Sequence, residues 1–284
     1  MDTYNLINTL VNSYIKYCQK RDRSQNTIRK HLLNLTEMAD FFADHSIRYY
    51  EDLSHDLLQG YLDEKMILEP VSVVQSKRVS IQSFCRWVTQ ESGLKLLDPS
   101  QELVMSPKRI QPYKGVSDRN IAAIINNCGN DFSGIRDKAI LMTLSDTGMR
   151  VVELCALKLR DCLLQEHIIR IRNKQTSRYR VVEITNNTVD YIKAYLELVP
   201  FRSDWERVFR TLTNEELNPG SITAMMRKRC LDSGVYEIIT PVDLRNTYGI
   251  KLMTRTHNPW ELRRRMGFKK VPNPIRYLTS IKDD

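Results

Sequence analysis

Apolar positions recur at i, i+3, i+4 and i+7 from the start of the chain. Tyr4, Leu6, Ile7, Leu10, Val11, Tyr14, Ile15 and Cys18 form a stripe along one face of a helix. Beyond the charged turn 20–24 a second helix runs through Ile28, Leu32, Leu35, Met38 and Phe42, with Ser24 or Asn26 placed to cap it. A third helix follows Ser54, and a fourth carries Val74, Arg78, Ile81, Phe84, Cys85 and Trp87. Together they predict a four-helix bundle. Prolines at 99, 107 and 112 with Gly115 then interrupt every periodicity, because proline removes a donor and disfavours helix before itself.

This divides the chain into an N-terminal helical domain, residues 1–106, a linker, 107–116, and a second domain, 117–284. The second domain opens with a helix capped by Ser117 and another over 134–144. A further helix follows a glycine break at Gly148 and runs through Leu154 and Leu157. The runs 167–171 and 179–184 are β-like and flank a polar turn at 173–178, which predicts an antiparallel hairpin. Helical patterns return at 186–199, 218–232, 243–254 and 258–266. The predicted fold is mainly α with one small antiparallel β-sheet.

Composition adds little to this, but charge adds a good deal. The 284 residues are 42% hydrophobic and 27% charged, the balance of an ordinary soluble chain. No apolar run is long enough to cross a membrane, and the first residues lack the basic and apolar regions of a secretory signal, so a cytoplasmic protein is expected. Six scattered Cys without a Cys-x-x-Cys pair predict buried reduced thiols, with no disulfide framework and no metal site. Residues 1–110 hold equal numbers of basic and acidic side chains, so the whole formal charge of +9 belongs to the remainder. A basic excess confined to one domain fits a polyanionic partner. Within the first domain Lys20, Arg21, Arg23, Arg29 and Lys30 form a local basic cluster, and Lys108 and Arg109 lie in the linker.

Arg150 stands immediately beyond the glycine break, near a helix N-terminus where the macrodipole disfavours a cation. Two readings fit: an ordinary pair with Glu153 on the next turn, or a guanidinium fork waiting with backbone N–H groups for an anion. The rest of the chain weighs on this choice. The stretch Thr147-Gly-Met-Arg150-Val-Val-Glu-Leu154 resembles the first motif of the tyrosine recombinase (phage integrase) family, and three later stretches resemble its other motifs in order. Lys174 sits in the hairpin turn. Thr240-Pro-Val-Asp-Leu-Arg-Asn-Thr247 keeps the family's Thr-Pro, Leu-Arg and Thr, but has Val242 where the usual His stands and Asn246 in place of another. Met266-Gly-Phe268 has Phe268 where the family carries His or Trp, and Tyr277 follows nine residues on.

The resemblance implies a SAM-like core-DNA-binding bundle joined to a catalytic domain that cuts and rejoins DNA through a 3′-phosphotyrosyl intermediate. It implies Tyr277 as nucleophile, Arg150 and Arg245 on the phosphate, Lys174 as general acid and Glu153 in support, with no metal and no cofactor. The implied partners are a double-stranded DNA recombination site and three further copies of the chain, as a tetramer on two sites. DNA contacts are expected from the N-terminal cluster, Lys108, Arg109, Arg178, Arg227, Arg229 and Arg263. Elementary chemistry agrees with these roles: two fixed forks meet charge growing on non-bridging oxygens, and a phenol becomes nucleophilic once positive charge favours phenolate. An ammonium protonates the leaving 5′-oxygen.

The departures have consequences. Val242 moves no proton, so either His257, Asp243 or water is the base or deprotonation relies on Arg150 and Arg245 alone, and Phe268 offers packing without a hydrogen bond. Seven residues follow Tyr277, so weak self-association without DNA is expected. The compact length is similar to Xer-type enzymes and to transposon cointegrate resolvases; dimer resolution and integration are the other settings. The competing readings are a catalytically silent DNA-binding relative and a helical DNA-binding regulator.

Overall fold

The computed structural model describes residues 6–105, 111–173, 178–200 and 203–278. The chain forms two compact units, Met1–Arg109 and Ile110–Asp284. In the first, helices α1 (Ile7–Lys20), α2 (Gln25–Asp44), α3 (His55–Leu68) and α4 (Val71–Gln90) enclose a core of Tyr14, Leu35, Phe42, Tyr61, Ile81 and Phe84. Ser24 rather than Asn26 is the cap of α2, its hydroxyl accepting from the Thr27 N–H at 3.2 Å. Lys77 is 2% exposed and survives there because Glu37 and Glu69 both pair with it.

The second unit is built around α6 (Phe132–Thr147). Ala139, Ile140, Leu141 and Leu144 are all buried, and so is Thr143, so the helix is covered on most of its circumference. Around it lie α5 (Asp118–Asn127), α7 (Val151–Cys155), α8 (Asn186–Leu196), α9 (Pro219–Asp232), α10 (Pro241–Thr256) and α11 (Pro259–Met266). The predicted hairpin is present as β2 (Ile168–Arg172) and β3 (Tyr179–Glu183), paired antiparallel with Ile169 opposite Val182 and Ile171 opposite Arg180.

Two features differ from the sequence reading. A third strand, β1 (Cys162–Leu163), extends the sheet in the order β1-β2-β3; two residues are too few for alternation to be visible. The helix after Arg150 ends at Cys155 instead of running through Leu157. Its backbone leaves to pair with another segment, the Leu159 and Arg160 N–H groups reaching the Glu206 and Asp204 carbonyls at 3.0 Å. Among the described residues no helix is long and apolar enough to cross a membrane. Five of the six Cys are buried, Cys162 is half-buried, and none is bonded to another.

Candidate active site

Two helix C-termini create the floor of the site. Gly148 ends α6 at φ 55°, and Gly267 ends α11 at φ 65°, left-handed conformations that glycine adopts without a Cβ clash. Both turns expose backbone carbonyls, the negative ends of their helices, to which cations are drawn. Arg245 on α10 bonds the Gly148 carbonyl through Nη1 and the Met266 carbonyl through Nη2 at 2.7 Å. Arg150 donates through Nη2 to the Gly267 carbonyl at 3.5 Å. The same pair of turns therefore orients both guanidinium groups. Burial first, and then the like charge of Arg150, lower the Arg245 guanidinium to about 10, which leaves it cationic at neutral pH.

Glu153 does more than pair with Arg150. Its carboxylate accepts the Arg150 N–H at 2.8 Å and the Arg150 Nη1 at 3.1 Å, so the backbone and the fork of one residue are held together. Arg180 of β3 grips the same carboxylate from the sheet side, Nη1 at 2.9 Å and Nη2 at 2.7 Å, and sends Nε to the Arg265 carbonyl at 2.9 Å. Burial alone would raise the Glu153 carboxyl, but the Arg180 fork, then its charge and the bonds from Arg150, hold it below the ordinary carboxylate value.

Tyr277 closes a short 3-10 turn, Pro274–Tyr277, and is 3% exposed. Its ring lies against Gly249, where an added Cβ would stand 2.5 Å from Cε1. Arg245 and Gly249 are four residues apart on α10, so the phenol sits about one helical turn from the Arg245 stem. Tyr113 covers it from the other side, ring centroids 5.0 Å apart and edge-on. Tyr113 is itself tied to the residue before Tyr277, its N–H to the Arg276 carbonyl at 2.7 Å and its hydroxyl accepting from Arg276 Nη1 at 3.1 Å. Burial, and next the neighbouring Tyr113, push the Tyr277 phenol up to about 12 against the pull of Arg245 and Arg276.

Phe268 packs its ring 5.2 Å from the Arg245 guanidinium carbon. Val242 is 62% exposed in the first turn of α10. Of the alternative bases, Asp243 is occupied in the capping box of α10, accepting from the Thr240 N–H at 2.9 Å and from its hydroxyl. His257 caps the far end of α10, eight residues beyond the Gly249 on which Tyr277 lies and about 12 Å along the axis. Lys174, Lys108 and Arg109 lie outside the described residues.

Beside Arg150 a groove of ≈ 750 Å³ runs along the sheet toward the base of the hairpin. Lys158, Arg160, Arg170, Arg172, Arg207 and Lys269 line it against the carboxylates of Glu153 and Asp161. Arg160 stacks on exposed Trp205, its guanidinium carbon 3.4 Å from the ring centroid. Lys20, Arg21, Arg23, Arg29 and Lys30 are exposed on the first unit, Arg21 pairing with Glu91 at 3.3 Å. Arg178, Arg227 and Arg263 are exposed on the second. Arg229 is not placed as expected of a phosphate contact. Its Nε and Nη2 both bond Asp137, which is 2% exposed, so its donors serve a buried ion pair. The sequence reading noted Arg180 only as a basic residue after the hairpin turn, without a role in the site, and missed Tyr113. Only Arg180 left a signal, as a charge on the core-facing register of a strand.

The model of the phage integrase family matches residues 115–283. The tyrosine recombinase XerD of Staphylococcus epidermidis is 24% identical over 255 residues, covering 87% of this chain and 85% of its own. That of Staphylococcus aureus is 25% identical over 254 residues, covering 86% and 85%. Among solved structures, the XerH site-specific recombinase in its post-cleavage complex with palindromic difH substrate covers 94% of this chain and 80% of its own. Its TM-score is 0.75 at 15% identity. The Tn1549 transposon integrase in complex with transposon right end DNA covers 96% and 95%, with a TM-score of 0.72 at 13% identity. At such identities these structures establish a shared fold.

Proposed function

Because the chain belongs to the phage integrase family, we propose that it is a site-specific DNA recombinase that cuts and rejoins duplex DNA through Tyr277. The observation that carries this reading is the convergence of Arg150 and Arg245 on one pair of helix-end turns, with the Tyr277 ring about a turn of α10 away from Arg245. In this reading the two forks hold the non-bridging oxygens of the scissile phosphate and meet the charge that grows there. The Tyr277 oxygen attacks phosphorus, the bond to the 5′-oxygen breaks, and the phenolic proton passes to water, since Val242 accepts none. Lys174 protonates the leaving oxygen. The phosphotyrosine retains the energy of the broken ester, and attack by a 5′-hydroxyl of a second strand reverses the step.

Two observations shape the proposal. A phenol that is 3% exposed meets no phosphate, so the 3-10 turn must swing from beneath Tyr113 when DNA engages. The groove of six cations beside Arg150 supports a DNA strand leading to the cut, and the exposed N-terminal cluster supports contacts from the first unit. Synapsis of two sites by four chains belongs to the same proposal.

The test begins with duplexes that the protein selects from a random library, each then synthesised with single nicks across the site. The nick prevents religation, so a covalent adduct accumulates and is seen on a denaturing gel. Adduct formation in the presence of chelator, lost in Tyr277→Phe, is the expected result. Tight selective binding with no adduct at any nick position would overturn the reading in favour of a silent DNA-binding protein. Circles carrying two sites, against sites on separate circles, then distinguish resolution from integration.

A further inference from the structure

Glu153 carries one negative charge and lies between two guanidinium groups of unequal exposure. The Arg150 side chain is 39% exposed and the Arg180 side chain 9%. Each carboxylate oxygen receives one bond from each arginine: Oε1 from Arg180 Nη1 and Arg150 Nη1, Oε2 from Arg180 Nη2 and the Arg150 N–H. The shorter, two-pronged grip belongs to the buried arginine. Arg180 occupies the core-facing register of β3, opposite Ile171 and two residues from buried Val182, where an apolar side chain would ordinarily sit. Gly267 is shaped around it: an added Cβ there would stand 2.8 Å from Arg180 Nη1. Arg150 is oriented by Glu153 and by the Gly267 carbonyl, without a bond to Arg180. What the second arginine adds is charge.

We propose that Arg180 is a positioning residue for strand cleavage, balancing the charge of Glu153 from inside the fold so that Arg150 presents its full positive charge to the scissile phosphate. The inference rests on the recombinase reading. With Arg180 present its charge offsets that of Glu153, so Arg150 and Arg245 both keep a full charge for the scissile phosphate, on whose non-bridging oxygens charge builds in the transition state. Without it, the carboxylate would neutralise Arg150 itself, and the arginine nearest the substrate would stabilise its own neighbour rather than the transition state.

Charge balance and simple mechanical support predict different results in a double variant. Arg180→Met should slow adduct formation on the nicked selected duplex by about 10- to 100-fold in single turnover. Affinity for that duplex and its salt dependence should stay unchanged, because Arg180 is almost wholly buried. Adding Glu153→Gln removes the charge and keeps one oxygen for an Arg150 donor, its NH2 facing the other, so the double variant should recover part of the loss and run at least about threefold faster than Arg180→Met. Arg180→Lys, which keeps the charge but loses the fork, should retain at least about a third of the rate.

A wild-type rate in Arg180→Met overturns the inference, and so does a double variant as slow as the single one. Should Arg180→Met not fold, Arg180→Lys decides: a loss as large as 10-fold means that the fork rather than the charge is needed. Absence of adduct with wild-type protein at every nick position overturns the recombinase reading itself, a different outcome from a wild-type rate in the variant.

Discussion

Replacing Gly249 by alanine tests whether Tyr277 is packed where the structure places it. Gly249 is interior to α10, where alanine ordinarily stabilises a helix by about 1 kcal/mol. Here the new methyl would stand 2.5 Å and 2.8 Å from Tyr277 Cε1 and Cδ1, and 3.0 Å from the Met266 sulfur. Those distances fall about 1 Å inside ordinary carbon contact. The ring has little room to retreat, because Tyr113 stands against it and Tyr277 is 3% exposed. Overpacking of this kind costs about 1–3 kcal/mol, so the net effect is a loss of up to about 2 kcal/mol. For a unit of this size that lowers the melting temperature by up to about 8 °C. In a Tyr277→Ala background the obstacle is gone, and the same substitution should stabilise by about 1 kcal/mol and fill part of the cavity. Calorimetric melting of the full chain in all four combinations measures both effects. The argument fails if Gly249→Ala stabilises the otherwise unchanged protein, or shifts the melting temperature equally in both backgrounds.

Three further outcomes follow from the site and its surroundings. Val242→His, 62% exposed on the Arg245 helix, should raise the rate of adduct formation by supplying the proton acceptor that valine lacks; a flat or lower rate would refute that account. The folded chain holds the Tyr277 proton more tightly than an unfolded tyrosine near 10, so its contribution to stability is complete below pH 10 and is lost as pH rises towards about 12. The melting temperature of wild type minus that of Tyr277→Phe should therefore fall over that interval, and a constant difference would contradict it. Arg229→Ala should destabilise by about 3 kcal/mol, because among the described residues Asp137 then keeps Arg136 alone as a cationic partner, while DNA affinity at moderate salt changes little. A large affinity loss without loss of stability would return Arg229 to the DNA-contacting set.

The helices of both units were legible because their apolar stripes are long and their caps conventional, as at Ser24, Ser54 and Ser117. The resemblance to the recombinase motifs singled out Arg150, Arg245 and Tyr277, residues 127 positions apart at their extremes; the fold brings the two arginines to the helix-end turns and the Tyr277 ring against Gly249 of α10. Arg180 was less visible. A basic residue beside a hairpin reads as solvated until the register opposite Ile171 turns it inward and Glu153 explains its burial. Tyr113 could not be read at all, because what matters about it is a contact with a residue more than 160 positions later. Arg229 misled for the converse reason: its basic neighbours suggest a surface stripe, and only the fold reveals Asp137 beneath it.

The bond between the Tyr113 N–H and the Arg276 carbonyl joins the segment that enters the second unit to the segment that follows α11. The side chains of the same two residues meet across 163 positions. A contact of that sequence separation adds heavily to the contact order and closes only after most of the intervening chain has been ordered. During synthesis the pocket around Tyr277 has no second wall until residue 277 has cleared the ribosome. A nascent chain therefore carries its exposed cations long before it holds Tyr277 in place, and in the proposed reading the capacity to bind precedes the capacity to cut.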